Sequence, residues 1–277
     1  MYIDYSTLLE AIPEQRAQFV KEQEALFDTI LMNVGHMEST IRDQQNYRLF
    51  IQLLSENAFP APMIHHYVNE LSADKGLLFK IHATDTSAVI QRSFSALFLT
   101  AIVNADRQLR ILTEEEVDQL TTAAIALFAK EQDLRSYIDE TTGWAHSIAN
   151  TADLLIALIS HPHFNIRFTS HILQAIRTNL WKGYVFQDDE EERFSKIVTA
   201  LIAKGIEEAL FIEWMEQLFD RLEMVAYEQG YSASWFKART NLLNMMKTLY
   251  FFLKFSNHSD KLRGTVSIFI ERWMKLT

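Results

Sequence analysis

The chain has 277 residues, 48% hydrophobic and 22% charged, enough apolar material to offset the conformational entropy of one or two globular units. Its 36 acidic and 26 basic side chains leave a net charge of −10, a field that repels phosphate backbones and anionic headgroups, so no nucleic-acid or membrane partner is expected. The absence of cysteine excludes disulfides, thiolate nucleophiles and sulfur-ligated metal centres, leaving any chemistry to oxygen and nitrogen.

Met1-Tyr2-Ile3-Asp4-Tyr5 lacks the basic and apolar regions of a secretory signal, and the apolar stretch 242–255 is interrupted by Lys247 and Lys254. That stretch falls short of the ~20 residues that span a bilayer, so a cytoplasmic location without a membrane segment is the expectation. Seven glycines, none in a GxGxxG or GxxxxGK[ST] pattern, argue against hairpin-rich β folds and against both Gly-rich phosphate loops.

Between the glycines, apolar residues recur at spacings of three and four, which predicts helices at 5–33, 39–56, 61–73, 85–105, 113–130, 144–160, 165–180, 188–203, 206–229, 233–256 and 260–275. Thr113, followed by three glutamates, is an N-cap with an acidic first turn. The acidic run Asp188 to Glu192 complements another helix start and otherwise reads as a solvated face. Short connections imply antiparallel neighbours. Arg42, Arg92 and Arg135, each entering an apolar run, recur at intervals near the ~40–47 residues of HEAT and armadillo units. The predicted fold is all-α: stacked antiparallel helix pairs forming a HEAT/armadillo-like α-solenoid, curved or straight. It is one elongated domain over 1–277, or two lobes, 1–183 and 184–277.

Within the predicted helix 144–160, His146, Asn150 and Asp153 fall on one stripe. With Trp144 as an aromatic wall and Arg135 just upstream, these residues form a candidate ligand pocket. Glu131 and Asp133 either join it or pair with Arg135. Two ligands at i and i+4 are too few for a protein-only metal site, and Ser147 in place of a glutamate excludes HExxH, so no metal, no cofactor and no catalytic residue is assigned. An alternative reading is that Asp153 is a buried carboxylate held by Arg135, His146 or a neighbouring helix end. Ser147 points about 100° away from His146 on a helix and cannot pair with it directly. His65-His66 and His161-Pro162-His163 read as solvated residues, the latter at a helix C-terminus. The aromatics of the last third, Trp214 to Trp273, recur at three and four as core residues do; the alternatives are a peptide groove or a homodimer face.

The blocks Ser39-Thr40-Ile41-Arg42-Asp43, Gly76-Leu77-Leu78-Phe79, Gln91-Arg92-Ser93-Phe94-Ser95-Ala96-Leu97, Glu131-Gln132-Asp133-Leu134-Arg135 and Gly143-Trp144-Ala145-His146, in this order, resemble an uncharacterised bacterial family, domain of unknown function 2785. The resemblance runs from about residue 30 to residue 200. It implies an all-α, HEAT-like protein and no established activity. In the family pattern a second histidine often stands four residues after the first, where this chain has Asn150, and that departure weighs against a metal role.

The functional expectation is a helical-repeat binding or scaffold protein, monomeric or homodimeric, engaging a protein, peptide or small ligand on a concave face near 135–153. The alternative is a hydrolase-type enzyme using His146 and Asp153, with or without metal assistance.

Overall fold

The computed structural model describes residues 5–22, 24–83, 85–256 and 259–274. It is mostly helical, with thirteen α-helices and one two-stranded antiparallel ribbon among the described residues. The chain divides into two compact units, Met1–Phe164 and Asn165–Thr277.

The first unit begins with three short helices, α1 Tyr5–Glu10, α2 Pro13–Glu22 and α3 Glu24–Met32, where the periodicity predicts one long one. Pro13 is the physical reason for the first break. It has no N–H to continue a helix and a φ suited to starting one. The expected helix 39–56 is likewise two pieces, an eight-residue π-helix Thr40–Tyr47 that runs directly into α4 Arg48–Ser55. After α5 Ala61–Ser72 comes α6 Thr86–Leu109, started by Asp85, whose side chain accepts from the Ala88 N–H. Helix α7 Glu114–Lys130 opens with the expected cap as a full capping box, with Thr113 and Glu116 each satisfying the other's backbone.

Helix α6 is the centre of this unit. Ala88, Val89, Ile90, Phe98, Leu99 and Val103 are fully buried, and the helix packs on α8 Ser147–Ser160, whose Leu154, Leu155, Leu158 and Ile159 are buried in turn. Among the described residues α6 is also the one helix long and apolar enough to cross a bilayer. Its apolar window is 67% buried within the protein, as a core helix requires.

One fully buried polar pair ties the end of α6 to the residue that ends α8. At the end of α6 the Asp106 carboxylate accepts from the Ile111 and Leu112 N–H groups and meets His161 Nε2 at 3.0 Å. The Nδ1 of His161 accepts from the His163 N–H, so the ring is neutral with its proton on Nε2, and burial holds its pKa below the ordinary value. The expectation of a solvated histidine corner therefore fails at His161, which is fully buried. The cause is the tertiary approach of Asp106, 55 residues away in sequence. His65 is half-buried and meets Glu116 at 2.6 Å, which corrects its reading as solvated too.

The second unit holds α9 Thr169–Leu180, α10 Glu190–Ala203, α11 Glu208–Gln229, α12 Ala233–Ser256 and α13 Asp260–Met274. Helix α12 packs against α10, α11 and α13, and its Asn241 pins the preceding loop by donating to Tyr184 O and accepting from the Phe186 N–H. The acidic run does start α10, but Glu190 is buried rather than solvated, its carboxylate accepting from the Asp188 N–H. The C-terminal aromatics split. Trp214, Phe219, Trp235 and Trp273 are core, whereas Tyr227, Tyr231, Phe236, Phe251 and Phe255 are exposed.

Candidate functional site

The segment expected to be one helix, 144–160, is in fact a hairpin followed by a helix. Tyr137–Asp139 (β1) pairs antiparallel with Gly143–Trp144 (β2), and α8 starts only at Ser147. The turn is built locally: Asp139 Oδ1 accepts from the N–H groups of Thr141 and Thr142. Gly143 follows at φ +71°, and a Cβ there would lie 3.2 Å from Ser39 Cβ, so glycine serves both the backbone and the close approach. The hairpin tip docks on the start of the π-helix, with Ser39 N donating to Thr141 O and Arg42 Nη2 to Thr142 O at 2.6 Å.

His146 is the residue between strand and helix, in the left-handed region at φ 51°. A non-glycine residue is held there only when its surroundings over-determine it, and such strain gathers at functional sites. The surroundings are two hydrogen-bond chains that start from adjacent, fully buried residues of α6. In the first, the Arg92 guanidinium forks onto Glu131, and Ser147 Oγ donates to the same carboxylate at 2.8 Å. In the second, Asn150 Nδ2 donates to Ser93 Oγ at 2.8 Å and Ser93 Oγ to Ala145 O. The residues immediately before and after His146 are therefore both clamped. With its hydroxyl committed to Glu131, Ser147 is no nucleophile for His146.

Clamped in this way, the His146 ring lies flat on the Trp144 indole, with centroids 4.5 Å apart and planes 4° from parallel. Tyr137 meets the other ring edge-on at 5.2 Å. Trp144 is nonetheless 47% exposed. Beside this pair is a pocket of about 300 Å³ lined by Asp43, Tyr47, Phe94, Leu97, Trp144, Ala145, His146 and Asn150.

The π-helix supplies two of these walls, Asp43 and Tyr47. Such segments are rare and frequent at functional sites, because the extra residue re-aims the side chains that follow. Arg42 sits fully buried behind the wall. Its Nε meets Asp43 Oδ1 at 2.7 Å, its Nη1 donates to His36 O, and its guanidinium lies 4.2 Å over the Phe94 ring. Burial raises the Asp43 pKa despite this partner, and burial pushes the Tyr47 hydroxyl up to about 12. Tyr47 therefore remains a protonated donor at neutral pH, and Asp43 is a part-exposed acceptor held by Arg42.

Of the residues named from sequence, the structure brings Trp144, His146 and Asn150 to this pocket and leaves Arg135 and Asp153 off its walls. Arg135 is largely exposed and forks onto Asp133, with Nε to Oδ1 at 2.8 Å. Asp153 lies on α8, half-buried. The shared helical stripe of His146, Asn150 and Asp153 does not exist, because His146 precedes the helix. Asp43, Tyr47, Phe94 and Leu97 are not among the residues named from sequence, although Asp43, Phe94 and Leu97 stand in the blocks that carry the family resemblance. Sequence could have pointed to Asp43 only through its neighbour Arg42, a charge entering an apolar run.

Residues 77–251 match the model of a family described as "Protein of unknown function (DUF2785)". The match covers more than half of the chain, which belongs to that family. It begins later and ends later than the quoted blocks. No curated protein and no solved structure matches the chain.

Proposed function

We propose that this member of the family is a binding protein whose pocket in the first unit takes a small planar ligand bearing a hydrogen-bond donor. The observation that carries the reading is the Trp144–His146 stack held over the pocket by a left-handed backbone. It offers a rigid aromatic shelf at little conformational-entropy cost. Phe94 and Leu97 add apolar wall, and Asp43, Tyr47 and Asn150 are the convergent polar groups that set orientation. A volume of about 300 Å³ suits a compact ligand rather than a folded partner. Antiparallel packing of α7 with α8, whose opposite ends meet at Glu131–Ser147 and Glu114–His163, and parallel packing of α6 with α8, joined at Ser93–Asn150 and Asp106–His161, support the finer description of stacked, HEAT-like helix pairs.

The hydrolase reading draws less support, since Asp153 is not on the pocket wall and Ser147 serves Glu131.

Screening the purified chain by ligand-observed NMR against small planar amines, amides and carboxylates tests the proposal. Donor-bearing planar fragments are expected to bind, and Trp144→Ala and Asp43→Asn to weaken them at least tenfold. If no such fragment binds, or if both variants bind as the parent does, the proposal fails.

A further inference from the structure

The second unit carries an independent cavity of about 260 Å³ between α9 and α11, lined by Ser170, Leu173, Gln174, Arg177, Leu210, Glu213, Trp214 and Gln217. Ser170, Gln174 and Arg177 lie on one face of α9, with Trp181 a further turn on. Trp214 and Gln217 share a face of α11, with Arg221 a further turn on.

Two residues of this lining each carry a buried, unsatisfied donor, Arg177 Nε and Trp214 Nε1. Trp214 is 8% exposed. A buried donor without an acceptor costs about 1–3 kcal/mol, and more when charged, so two on residues of one lining call for an explanation. Neither Arg177 nor Arg221 has a carboxylate partner. Arg221 lies instead over the Trp181 ring, 4.8 Å from its centroid. Burial first, and then the charge of Arg177, hold the Arg221 pKa below its ordinary value. Glu213 is the one acidic residue on the wall, and its Oε1 accepts from Gln217 Nε2 at 3.4 Å. The wall itself carries one guanidinium, Arg177, and one carboxylate, Glu213, and Arg221 stands one helical turn beyond Gln217 at its edge.

We propose that this cavity is a binding site for the oxyanion of a small molecule, a phosphate or a carboxylate, received between Arg177 and Arg221 with the Trp214 indole N–H as a third donor. The planar guanidinium fork matches either oxyanion with paired hydrogen bonds. The anion satisfies the orphaned donors in one step. Gln174 and Gln217, each able to donate or accept, complete the rim.

Isothermal titration of the full chain with inorganic phosphate and, separately, with succinate is the test. Saturable binding of one or both is expected, and the tighter of the two identifies the oxyanion the site prefers. Arg177→Gln and Arg221→Gln should each weaken that binding at least tenfold, Trp214→Phe several-fold, and Glu213→Gln should tighten it by removing the competing carboxylate. Circular dichroism establishes that each variant is folded; if one arginine variant is not, the other decides. The proposal is overturned if neither anion binds saturably, or if the folded arginine variants bind as the parent does.

Discussion

The Arg92 guanidinium meets both carboxylate oxygens of Glu131, Nη2 to Oε1 at 2.7 Å and Nε to Oε2 at 2.8 Å, with both residues fully buried. Every remaining position around this carboxylate is filled as well. The N–H groups of Gln132 and Asp133 donate to Oε1 and Ser147 Oγ to Oε2, while Arg92 Nη1 donates to Phe79 O and Lys80 O. A buried ion pair offsets its desolvation only when it is satisfied this completely, and removing one partner strands the other.

Arg92→Ala should therefore cost about 3–5 kcal/mol in urea denaturation, and Glu131→Ala a similar amount. The double variant should cost less than the sum of the two. Strict additivity would mean that the pair is not one interacting unit.

A second expectation concerns pH. His161 is neutral in the folded protein with its pKa below 6.5, whereas in the unfolded chain it returns to that value. Below pH 6.5 the unfolded state therefore binds more protons, and stability falls as pH falls toward the depressed folded pKa. Glu56 and Glu116, whose pKa values lie below 4.5 through Arg16 and through hydrogen bonds from Thr113 and His65, contribute their loss only below that value. His161→Gln should flatten the stability profile just below pH 6.5 and leave the limb below pH 4.5 intact. An unchanged slope just below pH 6.5 would show that His161 is not the titrating group.

Third, Gly143 and Gly183 have nearly the same backbone, φ +71° and +73°, but a Cβ at Gly183 meets nothing within 4 Å. Gly183→Ala should cost only the left-handed strain, about 1–2 kcal/mol. Gly143→Ala should cost more, because Ser39 must also give way, and should weaken the docking of the hairpin on the π-helix. Equal melting temperatures for the two variants would remove the close approach as a determinant.

Fourth, Asn150→Ala removes the donor that holds Ser93 and, through it, Ala145 O. A loss of about 1–3 kcal/mol is expected, as for any buried hydrogen bond broken on one side. Ligand affinity at the Trp144 pocket should fall along with stability, because the same bond helps to hold the His146 backbone. Stability loss with full affinity would make Asn150 a structural residue only.

What could be read from the sequence follows the range of the interactions involved. The helices from α9 onward lie within a few residues of their predicted bounds because their determinants are local: spacings of three and four, the acidic start of α10, and glycines at 205 and 230 that end runs. The capping box at Thr113 is equally local, and so is the break that Pro13 makes between the first two helices.

At the pocket the opposite holds. Trp144, Ala145 and Ile148 keep helical spacing with the apolar residues that follow, and helical periodicity cannot tell that Trp144 is paired with Tyr137 in a ribbon. The left-handed turn at His146 depends on Arg92 and Ser93, whose partners stand 39 and 57 residues away in the chain. The sequence by itself determined that the protein is helical, acidic and without thiol chemistry, since composition and short-range spacing suffice for that. Which polar groups meet, and hence where a ligand could sit, only the tertiary structure decided, because burying a charge or a donor demands a partner that no local rule can name.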